Sequence, residues 1–173
     1  MKKTTNIALC GVLISLALVL SYIERFIPLQ MFIPLPGIKL GLANIVTMIA
    51  LYLLGEKSAY TIIVVRCILG AIFSGGVSGL LFSLIGGLLA LTVMIIGTKI
   101  SCFSIFGVSI LGAAAHNVGQ ITVAMLLMDS VYIGAYLPYL LVIALFTGFA
   151  TASAATGVLR VLTKTQVGTE IFH

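Results

Sequence analysis

The eight residues Ala113–Gln120 (Ala-Ala-Ala-His-Asn-Val-Gly-Gln) put His116, Asn117 and Gln120 inside a long apolar run. A helix through them stacks His116 on Gln120 at i,i+4 and Asn117 on Gln120 at i,i+3, so all three fall on or near one face. In hydrocarbon an unpaired imidazole or amide is costly, and that face must look into protein or a wet cavity. Arg66 is the other expensive group within an apolar run, and intramembrane arginines are functional candidates by default. A cation with no obvious acidic neighbour, near His, Asn and Gln, suits the carboxylate or phosphate of a ligand. Asn44, one turn before Thr47, joins Arg66, His116, Asn117 and Gln120 as a candidate pocket residue. The competing uses are structural: Arg66 can snorkel or bond backbone carbonyls, and His116 can be a packed, hydrogen-bonded residue.

The rest of the chain must hold these groups in a membrane. Of 173 residues, 61% are hydrophobic and 8% charged, against roughly 25% charged in soluble domains; mean hydropathy is +1.30. At about 20 residues per crossing, the chain divides into six predicted transmembrane helices near 7–25, 40–54, 59–73, 79–97, 103–128 and 137–159. The expected class is all-α, one integral membrane domain over residues 1–173, with no room for a soluble domain. The first apolar run is long enough to span and no small-residue cleavage site precedes Glu24 and Arg25, so it reads as a span and not as a cleaved signal peptide.

What is scarce excludes much chemistry. The acidic residues are Glu24, Glu56, Asp129 and Glu170, whereas a prenyl-diphosphate synthase needs clustered aspartates to hold Mg²⁺ against diphosphate. No catalytic residues are assigned. There is no P-loop or Gly-rich nucleotide motif, so any ATP-driven process must borrow its ATPase from another chain. Cys10, Cys67 and Cys102 show no metal or redox spacing and read as buried small hydrophobes. With His173 the only other histidine, neither a metal site nor a cofactor is expected. The formal charge of +5 comes from basic residues placed singly at span ends, which is a topology signal and not a nucleic-acid surface.

Lys2, Lys3, Lys57, Lys99, Arg160 and Lys164 fall on one predicted side, Arg25 and Lys39 on the other. The positive-inside rule then puts both termini in the cytoplasm. Gly11 and Ser15, like Ala17 and Ser21, have the four-residue spacing of small residues that lets another helix approach, either a neighbouring span or a separate docking subunit. Phe26–Lys39 holds Pro28, Pro34 and Pro36 among apolar residues, which forbids a continuous helix. It reads as an ordered outer loop, with Phe32, Pro34, Pro36 and Lys39 a candidate lid or simply parts of a rigid connector. Gly75, Gly79, Ser83 and Gly87 make a flat helix face, for close packing or for exposing backbone to a cavity; Ala144, Gly148 and Ala152 repeat the spacing.

At Pro36–Asn44 (Pro-Gly-Ile-Lys-Leu-Gly-Leu-Ala-Asn), Phe73–Ser83 (Phe-Ser-Gly-Gly-Val-Ser-Gly-Leu-Leu-Phe-Ser) and Gly107–Gln120, the sequence resembles the Gx transporter family, whose members are also labelled heptaprenyl diphosphate synthase component I. That family is similar to the S components of energy-coupling-factor transporters. The resemblance implies a six-helix bundle of the bacterial plasma membrane that binds a small anionic or amphipathic, vitamin- or precursor-like solute from outside. It also implies partners: a transmembrane coupling (T) subunit and two ATPase subunits, besides the lipid bilayer, and no nucleic acid. S components often dock through Ala-xxx-Ala in the first helix, for which Gly11 and Ser15 stand here. The family's second label implies an alternative, a non-catalytic membrane subunit of isoprenoid or quinone biosynthesis.

Overall fold

A computed structural model describes residues 3–26 and 39–164. Six α-helices account for nearly all of them: α1 (Lys3–Ile23), α2 (Asn44–Leu54), α3 (Glu56–Gly70), α4 (Gly76–Thr98), α5 (Ile105–Leu127) and α6 (Leu137–Lys164). A 3₁₀ turn, Glu24–Phe26, closes α1, and another, Val131–Tyr136, leads into α6. A single π turn, Ala71–Gly75, joins α3 to α4.

Glycine sets several of the breaks. Gly41 and Gly55 both sit at φ +84, a left-handed conformation that side chains other than glycine's adopt at a cost. Gly41 turns the chain into α2, with the Asn44 N–H donating to the Gly41 carbonyl at 2.8 Å, and Gly55 separates α2 from α3. The second helix therefore starts at Asn44 and not at Leu40, where hydropathy alone begins it. Ser104 caps α5 by accepting from the Gly107 N–H at 3.3 Å. At its far end α6 continues to Lys164, beyond the last apolar residue of the predicted span.

Among the described residues four helical stretches are long and apolar enough to cross a bilayer: Thr4–Ile23, Gly76–Thr98, Ile105–Leu127 and Val131–Leu162. Hydropathy along the sequence predicts six. The difference lies in α2, 11 residues long, and α3, with 15, which at about 1.5 Å per residue are shorter than a ~30 Å hydrocarbon core. Hydropathy counts the apolar turns and π segment flanking them as helix; backbone geometry does not.

Packing follows the small residues. α5 lies between α4 and α6 and packs most extensively against both. At the α4–α5 crossing, a Cβ on Gly119 would stand 2.9 Å from the Gly86 Cα, and at the α5–α6 crossing one on Gly148 would stand 2.6 Å from the Ile110 Cα. Such contacts let backbones approach and dispersion act over the full interface. Ser109 adds a buried hydrogen bond, its Oγ donating to the Gly148 carbonyl at 2.7 Å. One apolar cluster, including Leu13, Met48, Ile62 and Leu91, joins α1 to α4; a second, including Phe82, Ile121 and Leu140, joins α4 to α6.

The outside is as apolar as the inside. Phe73, Val77, Leu126 and Phe146 are exposed while Asn44, Arg66, His116, Asn117 and Gln120 are buried, the distribution a lipid solvent demands. Exposed hydroxyls bond back to their own helices, Thr92 to the Leu88 carbonyl and Thr122 to that of Val118, which satisfies them without water. The chain is an all-helical membrane protein.

Candidate functional site

α1 packs on α2 and α3, and α4 on α3 and α5. Between α1 and α4, over α3, lies a cavity of about 410 Å³. α1 contributes Leu18 and Tyr22 to its lining, α3 contributes Arg66 and Cys67, and α4 contributes Gly79 and Ser83; Lys39 reaches it from the segment before α2. The lining is mainly apolar, with two cations.

Arg66 is 6% exposed, and its Nε has no hydrogen-bond partner among the described residues. Its guanidinium has room because position 87 has no side chain: a Cβ there would lie 3.2 Å from Nη2. Lys39 is fixed at both ends. Its Nζ donates to Ser83 Oγ at 2.8 Å, and its backbone N–H donates to Gln120 Oε1 at 3.3 Å. Glu24, also buried, accepts a hydrogen bond from the Gly41 N–H and lies close enough to Lys39 and Arg66 to feel both charges. It stands one residue past the Thr4–Ile23 span. Burial pushes its carboxyl above the usual carboxylate range, opposed first by the Gly41 N–H and then by Lys39.

Of the five expected pocket residues, Arg66 is in the lining of this cavity, and Asn44, His116, Asn117 and Gln120 make contacts among the helices and the segment before α2. Gln120 Nε2 and His116 Nε2 are 3.1 Å apart; since an amide nitrogen only donates, this orientation makes His116 Nε2 the acceptor and leaves the ring proton on Nδ1. Nδ1 faces Gly86, where a Cβ would lie only 3.0 Å away, and no partner among the described residues meets it with hydrogen-bond geometry. Asn117 Nδ2 donates to the Leu140 carbonyl at 2.8 Å, tying α5 to α6. Asn44 and His116 clasp Gly41: a Cβ on Gly41 would stand 2.8 Å from Asn44 Nδ2 and 3.2 Å from His116 Cδ2. His116, Gln120 and Asn44 thus brace the segment that carries Lys39, and Arg66 is the one of the five that lines the cavity.

Of the candidate lid, Phe32, Pro34 and Pro36 lie outside the described residues; Lys39 is in the cavity wall. The small-residue row on α4 divides by depth. Gly79 and Ser83 line the cavity, and Gly87 packs against Arg66 and Ile63. On α1, Ala17 is buried, whereas Gly11 is exposed and a Cβ added there would meet nothing within 4 Å. Ser15, one turn later, donates to the Gly11 carbonyl at 3.0 Å and lines the cavity. Glu24 and Ser83 are the site residues that sequence reasoning overlooked. Glu24 reads there as a span-end charge and Ser83 as one more small residue; only their juxtaposition with Lys39 reveals them.

Fold and cavity together define a helical membrane protein with a partly open, mainly apolar recess that carries two cations. Residues 13–158 match the family described as heptaprenyl diphosphate synthase component I, and the chain belongs to that family. No curated protein and no solved structure matches it.

Proposed function

We propose that the chain is the solute-binding membrane subunit, or S component, of an energy-coupling-factor type uptake transporter for a small anionic or amphipathic solute. The observation that carries this reading is the pairing of Arg66 and Lys39 in the wall of one largely apolar cavity of about 410 Å³. Small-molecule sites have this character, about 300–1,000 Å³ of mainly apolar surface with a few placed polar groups. An arginine nine-tenths buried, whose Nε has no hydrogen-bond partner among the described residues, favours an anion at its side.

In this reading α2 and α3, extended by their flanking turns, cross the membrane as short spans. Both termini are cytoplasmic and the cavity lies in the outer half of the plasma membrane. Asn44, His116, Asn117 and Gln120 serve the solute indirectly by fixing Lys39 and the helices around it. The exposed surface of α1 around Gly11 docks a coupling subunit, two ATPase subunits supply the energy, and tilting of the bundle carries the cavity inward.

A second reading rests on the family's description: a non-catalytic membrane subunit of heptaprenyl diphosphate synthesis. Native mass spectrometry of the protein gently extracted from its host separates the two. Coupling and ATPase subunits, with a bound water-soluble solute that Arg66→Gln loses, support the transporter. A soluble prenyl-synthase subunit with a prenyl lipid, and no ATPase, overturns it.

A further inference from the structure

We infer that the cavity opens sideways to the bilayer between α1 and α4, and that its solute is a single-tailed amphiphile whose anionic head lies against Arg66 while its apolar tail passes through the opening into lipid. The inference rests on the reading of the cavity as the solute site; it names the class of solute and its route.

The walls place the opening. α1 packs on α2 and α3, and α4 on α3 and α5, so α3 floors the space between α1 and α4. Along α1 the cavity is lined by Ser15, Val19 and Tyr22, whose spacing of four and then three residues puts them on one edge of the helix. All three are exposed, Val19 at 53%. They border the cavity and the outer surface at once, and so form its lip. Phe73 of the π turn, 75% exposed, does the same.

Depth decides what the opening faces. Ser15 and Val19 belong to the Thr4–Ile23 span, and Gly79 and Ser83 to Gly76–Thr98. At about 1.5 Å per residue, Ser15 lies about 12 Å from the end of α1 at Ile23, and Ser83 about 10 Å from the start of α4 at Gly76. Both are well inside a ~30 Å hydrocarbon core. The lip therefore reaches the depth at which the Lys39 Nζ meets Ser83 Oγ, and what lies beyond it there is acyl chain.

This arrangement suits one kind of solute. A small polar anion at Arg66 would leave the lip to water held in hydrocarbon, or to lipid pressed against the anion, and both are unfavourable. An amphiphile closes the lip with its own tail, whose burial stabilises the complex in proportion to the apolar area covered. The walls leave room for it: a Cβ on Gly79 would meet nothing within 4 Å, and one on Gly70 only Leu18 Cδ2, at 3.8 Å. Arg66 is the anchor. It is 6% exposed, and its Nε, without a hydrogen-bond partner among the described residues, suits a carboxylate or phosphate head.

The test uses the full chain in nanodiscs of net-uncharged lipid. Decanoic acid carrying a terminal diazirine is irradiated with the protein, and the cross-linked residues are mapped by mass spectrometry. Cross-links should fall on Val19, Tyr22 or Phe73 and be lost in Arg66→Gln, whose unfolding temperature is measured alongside. Competition against this probe then reads the tail. Decanoate and octadecanoate, or decyl and octadecyl phosphate, should displace it, whereas butanoate and butyl phosphate should need at least tenfold higher concentrations. Val19→Trp, which crowds the lip, should weaken octadecanoate several-fold; Phe146→Trp, on the exposed face of α6, should change nothing. Displacement by decanoate but not by octadecanoate would show a cavity closed to lipid, and displacement by butanoate as readily as by decanoate a site for a water-borne anion. Cross-links unmoved by Arg66→Gln would show general partitioning into the bilayer. Each of these overturns the inference. A compact anion without a tail, co-purified with coupling and ATPase subunits and lost in Arg66→Gln, would sink the inference and leave the transporter reading intact; a tailed acid bound through Arg66 in the absence of those subunits would do the reverse.

Discussion

Gln120 Oε1 accepts the backbone N–H of Lys39 at 3.3 Å, so a glutamine deep in α5 holds in place a cation from a segment 81 residues away in sequence. The same amide meets His116 Nε2 at 3.1 Å through its nitrogen. One side chain therefore ties α5 to the approach to α2, and the cavity's second cation depends on it.

Gln120→Leu removes both bonds while keeping most of the volume. It should destabilise the fold by about 1–3 kcal/mol, the usual cost of stranding buried polar groups. Gln120→Glu, which retains an acceptor toward Lys39, should recover the Lys39 contact but place a new buried negative charge at the Lys39 backbone and weaken anion binding. Thermal unfolding and ligand-induced stabilisation, measured on the same samples in nanodiscs, separate the two effects.

Arg66→Gln and Asn117→Ala should behave as opposites. The first removes the cavity's buried cation and should abolish anion binding with unfolding temperature unchanged or raised, since an uncompensated buried charge is relieved. The second breaks the 2.8 Å bond to the Leu140 carbonyl and should cost about 1–2 kcal/mol of stability with anion affinity unchanged. If Asn117→Ala lost the ligand and kept its stability, the division between cavity wall and bracing residues would be wrong.

Ser83→Ala removes the hydroxyl that accepts from the Lys39 ammonium at 2.8 Å without touching the charge. Affinity for a carboxylate probe should fall a few-fold, through loss of orientation, and Ser83→Thr should restore most of it. Titrations of the three proteins with decanoate read this directly.

Glycine substitutions on α4 and α5 should divide by position. Gly119→Ala forces a methyl to 2.9 Å from the Gly86 Cα, and overpacking of this kind costs about 1–3 kcal/mol. Gly79→Ala meets nothing within 4 Å and should leave stability equal or better, because alanine favours the helix by up to about 1 kcal/mol. Larger side chains at 79 should block the cavity: Gly79→Leu should fold normally and bind no probe.

On the outer face of α1, Gly11→Leu should leave stability and probe binding intact, as a side chain there enters open space. Under the transporter reading it should remove the coupling and ATPase subunits from the native mass spectrum. Retention of those subunits would place their docking surface elsewhere.

Some of this was legible from the chain because it depends on composition and local period. An 8% share of charged residues and long apolar runs fix an all-helical membrane protein, since only internally satisfied backbone survives in lipid. The cost of burying Arg66, His116, Asn117 and Gln120 marks them in the sequence itself, and the motifs around Asn44, Ser83 and His116 carry the family. Other features depend on which side of a helix meets which neighbour. A rotation of α5 by one residue would have turned Gln120 away from the Lys39 N–H; packing through Gly86, Gly119 and Gly148 sets its direction. The cavity, with Arg66 in its wall and His116 outside its lining, and the nearness of Glu24 to both cations, arise where α1, α3 and α4 converge. Charge and hydropathy along the sequence cannot encode that convergence, because electrostatic balance is a property of distances through space.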